Sequence, residues 1–344
     1  MSGALTWARL SYRQQKWELL LVVLGVAGTA AAMVWLAIML ESLRAASPEC
    51  LEGIADGFVG AEQAPAVSCQ GITSQYFETE SFASTLLYLS WAAPFGMGVI
   101  LGAPLVAREL DGGTAQLAWS LSPSRIGWLL RRIAFIALFG LALLAVLAVT
   151  SELLAAAIFV DRPLGEDFTW YGRRGLLVVA RGLGTIALGV LVGALIGRVL
   201  PAVLAAAVVI GVVFAGVSLG LDQWNRAEAT IERRFLEAEA GAPSNLELTA
   251  LGVAYGIELV DGEFLSYSEA YDRGVEANYG GVDGKVFESE ADMEAGRFIG
   301  YDAFLIIPGE RYTELVIRDS VVALLIGAFA LALTGLVVGR RRPA

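Results

Sequence analysis

Residues 133–160 read IAFIALFGLALLAVLAVTSELLAAAIFV, an apolar run interrupted by a single charge, Glu152. At a rise of 1.5 Å per residue, a helix of this length crosses the hydrocarbon layer of a bilayer, which is about 30 Å thick. The rest of the chain has the same character, since 56% of its 344 residues are hydrophobic and 17% are charged. A soluble domain carries roughly 25% charged residues. The sequence therefore predicts an integral membrane protein.

Five more apolar runs of spanning length flank residues 133–160, and six spans place both termini on the same side of the membrane. The predicted fold class is an all-α membrane bundle of six transmembrane helices, with a small α+β extracellular domain between the fifth and sixth spans. The predicted segments are an interfacial helix at 1–18, a first span at 19–42, an extracellular loop at 43–81, a second span at 82–107, a cytoplasmic segment at 108–130, a third span at 131–160, the fourth and fifth spans at 176–221, the extracellular domain at 222–320, and a sixth span with a basic tail at 321–344.

The distribution of charge assigns the two sides. Residues 1–16 carry three basic residues and no acid, and the chain ends on three arginines at 340–342. The predicted external loop at 43–82 holds six acids and one base, and residues 222–320 hold 21 acids and 8 bases. Because cytoplasmic loops carry the excess of Lys and Arg, we expect a protein of the cell membrane with both termini in the cytoplasm.

The first residues place Leu5, Ala8 and Tyr12 at helical spacing, with basic residues between them. This pattern favours a short amphipathic helix on the membrane surface, and a frayed tail is the alternative. The apolar run that follows is longer than the core of a signal peptide, and more spans come after it, so we expect no cleavage. The two cysteines, Cys50 and Cys69, lie in the predicted external loop, where an oxidising environment favours a disulfide over two free thiols.

The second span contains Pro94 and Pro104, which predict kinks. A kinked helix of this kind can line a transport path or belong to an irregular static bundle. If a path is present, the candidate lining residues are Trp91, Phe95 and Met97 of the second span and Phe214 of the fifth. Before the third span, Ser122 and Pro123 are typical of a helix start, with Ser122 as the N-cap.

Small residues and isolated charges mark the fourth span. Gly189, Gly193 and Gly197 repeat every fourth residue, a pattern that favours close packing of two helix backbones, although glycine is also common by chance in membrane helices. Glu152 of the third span and Arg181 of the fourth lie at similar depths. Because a lone charge in hydrocarbon costs several kcal/mol, we predict that they form an ion pair; the alternative is that each extends separately toward the surface.

The predicted extracellular domain combines helical and strand patterns. Trp224, Ile231 and Phe235 suggest an opening helix, and Gly252–Val260 and Phe304–Ile307 read as strands. From Glu310 we expect one helix that continues into the last span. A solvated acidic surface is favoured over a calcium site, since the spacing of the acids between Asp283 and Glu294 does not match an EF-hand loop.

Several chemistries are excluded by what the sequence lacks. The chain has no histidine, which removes histidine-based triads and HExxH zinc sites. The string at 216–220 matches GxSxG, but it lies at the end of an apolar span and has no histidine partner. No GxxxxGK[ST] phosphate-binding loop is present, so the chain holds no P-loop ATPase site. We therefore predict no catalytic residue, metal or cofactor in this chain.

The second span ends in an acid, Glu109, which is followed by Gly113-Thr114, a leucine-rich stretch with Leu117, and Ser124-Arg125 near the next helix. This order resembles the membrane subunits of type-2 ABC exporters, and the layout of an interfacial helix and six spans is similar too. The large insert before the last span departs from that pattern. Members from GC-rich Gram-positive bacteria are similar in carrying such an insert, with a stretch like the one at 308–312.

The resemblance implies that residues 108–130 dock on a cytoplasmic ATPase that binds ATP and Mg²⁺, and that a second permease copy completes the transporter. The expected ATPase-coupling residues are Glu109, Gly113, Thr114, Leu117, Leu121 and Arg125. It further implies outward movement of an amphipathic, drug-like or lipid-like compound, with membrane lipid around the protein and no nucleic-acid partner. The alternative is a sensing or immunity module whose extracellular domain binds an antibiotic or a peptide.

Overall fold

A computed structural model of the chain describes residues 2–51, 69–115, 124–158, 163–233, 249–273, 285–287 and 298–341. Within these residues, six helices are long and apolar enough to cross a membrane, and the prediction of a multi-pass membrane protein is confirmed. They are called the first to sixth helices below and span Gln15–Ala46, Gln70–Asp111, Arg125–Ile158, Leu176–Ile196, Val199–Glu228 and Gly309–Arg340.

The chain divides into two compact units. The helical unit comprises Met1–Asp161, Trp170–Ala215 and Val316–Ala344. The mixed unit comprises Arg162–Thr169 and Gly216–Leu315, so it begins before the predicted boundary at residue 222 and also takes the segment that precedes the fourth helix.

The first helix continues a helix that begins at Ser2, and Gln15 breaks the two apart with non-helical angles (φ −120°, ψ 17°). Residues 2–14 therefore form a separate helix, as the N-terminal pattern predicts. Its position at a membrane surface stays a prediction, and its side chains lie outside the described part of the chain. At the other end of the first helix, Arg44 donates hydrogen bonds to the carbonyls of Ala157 (2.6 Å) and Ile158 (2.7 Å), which end the third helix.

A short helix, Pro48–Leu51, leads to the predicted disulfide, and Cys50 and Cys69 are indeed bonded. The second helix then begins at Gln70, within the predicted loop at 43–81, and it contains the whole of the predicted span at 82–107. The helix extends because Thr73, Tyr76 and Thr79, three residues apart, all lie on its buried side.

The second helix is interrupted by one widened turn between its prolines. It runs as an α-helix over Gln70–Met97, as a π-helical turn over Gly98–Gly102, and again as an α-helix over Ala103–Asp111. Such a turn leaves the regular hydrogen-bond ladder of the helix incomplete. The hydroxyl of Thr185 in the fourth helix donates to the Pro94 carbonyl at 2.6 Å and so binds the two helices at this point.

The fourth helix is the centre of the helical unit. Of its most apolar window 72% is buried, compared with 28% for the third and sixth helices. A Cβ atom at Gly189 would overlap the Gly98 carbonyl oxygen, and one at Gly193 would overlap the Ala103 carbonyl oxygen. These two glycines therefore form the close helix contact that the spacing predicts. Gly197 does not take part, because it ends the helix in the left-handed conformation (φ +70°).

The same central helix also packs against its other neighbours through small residues. Gly182 accommodates Leu144 of the third helix, and Gly184 lies against Ala323 and Gly327 of the sixth. Interhelical contacts in a membrane depend on such close approach, because lipid tails are as apolar as the helices themselves.

The mixed unit is built on a five-stranded antiparallel sheet. Its strands are β1 (Thr230–Arg233), β2 (Leu251–Leu259), β3 (Phe264–Ser266), β4 (Lys285–Phe287) and β5 (Phe298–Ile307). Strand β5 pairs with β1, β2 and β4, and β2 pairs with β3. A short helix, Tyr267–Asp272, begins with a capping box formed by Ser266 and Glu269.

The predicted helix around Trp224, Ile231 and Phe235 is wrong in its second half. The fifth helix ends at Glu228, and Ile231 lies in β1 opposite Leu305 of β5. Pairing with a long neighbouring strand overrides the helical spacing, as β-branched Thr230 and Ile231 also favour a strand. Phe235 and the glycine-rich turns at 280–284 lie outside the described residues. The two predicted strands are confirmed, and β5 begins earlier than expected.

The start of the sixth helix belongs to the mixed unit, and residues 308–312 make its contacts there. A 3₁₀ turn, Gly309–Arg311, leads directly into the helix, which confirms the expected continuous entry from residue 310. Arg311 donates to Glu228 at the end of the fifth helix (2.7 Å) and to Glu314 (2.9 Å). The ring of Tyr312 packs edge-on against Phe168, with centroids 5.2 Å apart.

We expect Gly189→Ala to destabilise the helical unit, because its methyl group would overlap the Gly98 carbonyl oxygen. The matched control is Gly211→Ala on the fifth helix, where a Cβ meets nothing within 4 Å. Overpacking of this kind costs about 1–3 kcal/mol, whereas alanine at an open helix position is neutral or better. Denaturant unfolding of the purified protein in detergent measures both, and equal stability of the two variants would contradict the close contact.

Candidate functional site

Many polar contacts of the helical unit lie around residues 102–132. The end of the helix bundle that contains these residues is called the basic end below. The third helix begins there at Arg125, and the Ser124 hydroxyl caps it by accepting from the Gly127 amide at 3.0 Å. The N-cap is therefore Ser124 and not the predicted Ser122, because the helix begins at Arg125 and the N-cap is the residue directly before it. Ser122 and Pro123 lie outside the described residues.

A buried ion pair lies at the middle of the basic end. Arg132 of the third helix donates to the carboxylate of Glu109, and both side chains are 5% exposed. Arg132 also donates to the Leu105 carbonyl at 3.3 Å, and its guanidinium lies 5.3 Å from the ring centre of Trp128. A buried pair survives only when its remaining donors and acceptors are used, and here several of them are.

Glu109 also organises the turn that follows the second helix. Thr114 Oγ1 lies 3.4 Å from both the main-chain oxygen and Oε2 of Glu109, and Gly113 takes the left-handed conformation (φ +66°) that the turn requires. The predicted group of Glu109, Gly113 and Thr114 therefore forms one local structure. The arginine that pairs with Glu109 belongs to this chain. Leu117 and Leu121 lie outside the described residues.

Further contacts join this segment to the first and fifth helices. Arg108 forms an ion pair with Glu18 of the first helix. Asp111 accepts a hydrogen bond at 3.2 Å from the amide of Val199, the first residue of the fifth helix. A carboxylate at a helix N-terminus is favourable, because the amides there have no partners within the helix.

The third, fourth and sixth helices are joined through Arg341, which follows the sixth helix. Arg125, a predicted coupling residue, donates to the main-chain carbonyl of Arg341 at 2.6 Å. Arg341 in turn donates to the Ala194 carbonyl near the end of the fourth helix at 2.5 Å. Together with the contacts of Arg108, Glu109 and Asp111, these bonds link residues 108–132 to all six helices, to the fourth and sixth through Arg341.

Sequence reasoning missed the partners in this network, namely Glu18, Asp111, Arg132 and Arg341. The available signal was opposite charge at the ends of different spans. Spacing along the chain does not reveal that, of the adjacent Arg131 and Arg132, it is Arg132 that turns inward.

The opposite end of the helical unit holds a second polar cluster, and it corrects the predicted Glu152–Arg181 pair. Glu152 pairs with Arg174 at 2.7 Å, and the Arg174 side chain is 2% exposed. Arg181 donates to the Gly172 carbonyl at 2.7 Å. The loop before the fourth helix folds over the third because Gly172 and Gly175 adopt positive φ (+77° and +65°) and so place Arg174 beside Glu152. Arg174 precedes the fourth helix, outside the predicted spans.

Tyr171 belongs to the same cluster. Its hydroxyl donates to Asp319 of the sixth helix at 2.8 Å, and Arg318 Nε donates to the same carboxylate at 3.0 Å. Burial, together with the nearby negative charge of Asp319, raises the pKa of Tyr171, so the phenol stays protonated and acts as a donor.

The predicted path residues are partly brought together. Phe95 of the second helix packs on Phe214 of the fifth with ring centroids 5.4 Å apart, and Trp91 lies 5.3 Å from Phe95. Met97 does not join them, since it is 3% exposed and packs in the core with Leu101 and Leu144. Three of the four candidates therefore form one aromatic group at the second and fifth helices.

The fold and this network define a multi-pass membrane protein whose helices converge on one polar segment between the second and third spans. A family model described as ABC-2 membrane transporter related matches residues 22–221, and the chain belongs to this family. It is thus a permease subunit of an ABC transporter, a membrane transport component that works with an ABC ATPase. Among curated proteins and solved structures, nothing matches the chain.

We expect Glu109→Leu and Arg132→Met each to lower the free energy of unfolding by about 3–5 kcal/mol, because each leaves one buried charge alone. The double variant should recover most of that loss, since apolar residues of similar volume replace a buried pair well. Glu18→Gln is the control, because the Glu18–Arg108 pair is partly exposed and such pairs contribute about 0–1 kcal/mol. Additive losses in the double variant would contradict the pairing.

The second cluster is tested by exchanging charges. Glu152→Arg with Arg174→Glu should recover folding yield lost in either single variant, because the pair is restored in reverse. Glu152→Arg with Arg181→Glu should give no recovery, since Arg181 contacts the Gly172 carbonyl. Size-exclusion profiles of the membrane extracts report the folded fraction. Recovery with Arg181→Glu, and not with Arg174→Glu, would instead support a Glu152–Arg181 ion pair.

Proposed function

We propose that the chain is the membrane-spanning subunit of an ATP-driven exporter that moves an amphipathic, drug-like or lipid-like compound outward. ATP and Mg²⁺ bind a separate cytoplasmic ATPase, and a second permease copy completes the transport pathway. In this proposal the basic end faces the cytoplasm and the mixed unit lies outside, in agreement with the distribution of charge along the sequence.

The observation that supports the proposal best is the convergence of all six helices on residues 108–132. An ATPase docked on this segment would act on Arg108, Glu109 and Asp111, which contact the first, third and fifth helices. Through Arg125 and Arg341, it would also act on the fourth and sixth helices. A small displacement of the segment therefore changes contacts in every helix, as alternating access requires.

The coupling segment has a rigid base and apolar residues beyond it. The Glu109–Arg132 pair and the turn at Gly113-Thr114 fix where the second helix ends. Leu117 and Leu121 follow in the sequence, and we propose that they enter an apolar groove of the ATPase. ATP hydrolysis on the partner supplies the energy, and this chain transmits the resulting movement to the aromatic group of Trp91, Phe95 and Phe214.

A sensing or immunity module is the second candidate, and the mixed unit favours it. This unit has its own apolar core of Ile257, Leu265, Ala270 and Val286. It also presents exposed aromatic residues, with Tyr255 57% and Tyr271 78% exposed. A compact domain of this kind can bind an antibiotic or peptide without any role in the pathway.

Co-expression with an ABC ATPase tests the coupling proposal. We expect Leu117→Asp and Leu121→Asp to abolish co-purification of the ATPase, because a buried carboxylate without a partner is costly. Tyr271→Asp is the matched control, since it introduces the same charge on the mixed unit and should leave capture unchanged. Undiminished capture by both leucine variants would remove the segment from the interface.

Transport separates the two candidate functions. Inverted membrane vesicles that contain both subunits should accumulate a fluorescent amphiphile when ATP is added, and they should do so after deletion of residues 230–305 as well. An ATP turnover that responds to a peptide only when residues 230–305 are present, without accumulation, would favour the sensing module.

A further inference from the structure

We propose that the transported compound is an amphiphile with one anionic head group, bound with its head at Arg181 and its apolar tail in a cavity between the third, fourth and sixth helices. The inference rests on the proposed function, because it specifies the substrate class of that exporter. Two features carry it independently: an apolar cavity within the helical unit, and an arginine of the same fourth helix that forms no ion pair within the described residues.

The cavity has a volume of about 270 Å³ and is lined by apolar residues of the second, third, fourth and sixth helices. It exists because small residues face one another where the helices meet. Ala137, Gly184, Ala187 and Gly327 are among its lining residues, and Gly184 and Gly327 touch through their backbones. Its volume is near the lower limit of ligand pockets, ~300–1,000 Å³, which suits a single tail better than a bulky ring system.

The cationic head site is Arg181, one turn before Gly184 on the same face of the fourth helix. The backbones of these two residues are offset by about 4.5 Å along the helix axis, and the Arg181 side chain extends back toward Gly172, so the tail spans the distance from the guanidinium to the cavity. Within the described part of the chain, Arg181 makes one hydrogen bond, to the Gly172 carbonyl at 2.7 Å, although a guanidinium has five donors. The side chain is partly exposed.

The surrounding charges favour an anion. Glu152, the predicted partner of Arg181, forms its ion pair with Arg174. Asp319 of the sixth helix interacts with Arg181 electrostatically, but its carboxylate oxygens accept from Tyr171 and Arg318. No carboxylate of the described residues forms an ion pair with Arg181. Because a charge at membrane depth is costly unless it is paired, an incoming carboxylate or phosphate gains a strong contact there, and a cation is repelled.

A direct binding experiment separates head and tail. The full chain is placed in nanodiscs of neutral phosphatidylcholine and titrated with three fluorescent probes that share one twelve-carbon tail and end in a carboxylate, a methyl ester or a quaternary ammonium. We expect the carboxylate to bind about tenfold or more tightly than the other two, which corresponds to about 1.4 kcal/mol.

Substitutions at Arg181 test the head site. Arg181→Gln should remove the preference for the carboxylate, because glutamine can still donate to the Gly172 carbonyl but carries no charge. Arg181→Lys should retain most of the preference. If all three probes bind alike to the wild type, or if Arg181→Gln keeps the preference, the anionic head site is excluded.

A substitution in the cavity tests the tail. Ala328→Phe fills the cavity from an exposed position of the sixth helix and should weaken all three probes equally. Ala207→Phe, at an exposed position of the fifth helix outside the lining, is the control and should change nothing. Unchanged binding in Ala328→Phe would place the tail elsewhere and overturn this part of the proposal.

The final measurement asks whether the bound amphiphile is the substrate. In the complex with the ATPase, the carboxylate probe should stimulate ATP turnover in the wild type and not in Arg181→Gln. Arg181-dependent binding without any effect on turnover would identify a structural lipid and overturn the substrate assignment. If the proposed exporter function itself is wrong, the wild-type chain does not capture the ATPase, a result distinct from those above.

Discussion

The close contact between the second and fourth helices fixes the arrangement of the helical unit. Within a membrane, apolar side chains gain little by leaving lipid, so packing and hydrogen bonds decide which helices associate. Gly189 and Gly193 allow the fourth helix to touch the backbone of the second at the π-helical turn, where Thr185 satisfies the Pro94 carbonyl. Because the third and sixth helices pack on other faces of the same central helix, their positions follow from this contact.

The polar clusters at the two ends depend on that arrangement. Glu109 and Arg132 are 23 residues apart in the chain and meet because the second and third helices lie side by side. Buried ion pairs are a weak source of stability but a strong penalty when broken, so they favour one relative position of their helices. At the basic end this property suits a segment that would transmit force from an ATPase. At the opposite end, Arg174 pairs with Glu152, and Arg181 donates to the Gly172 carbonyl.

The mixed unit follows a different principle. Its strand β5 pairs with three other strands, and its apolar residues form a separate small core. Arg311 joins the ends of the fifth and sixth helices inside this unit through Glu228 and Glu314. The two helix ends are thus joined by a charged contact within the unit.

The sequence by itself determined the membrane class, the number of spans and the segment between the second and third helices, because hydrophobicity and charge are properties of local composition. The Cys50–Cys69 disulfide followed in the same way, since the chain has two cysteines. The tertiary structure decided which charges meet. Arg174 reaches Glu152 only because Gly172 and Gly175 turn the preceding loop, and Arg341 reaches Ala194 across 147 residues. It also decided that Ile231 lies in a strand and that Gly197 caps a helix, since long-range pairing and backbone conformation outweigh periodicity.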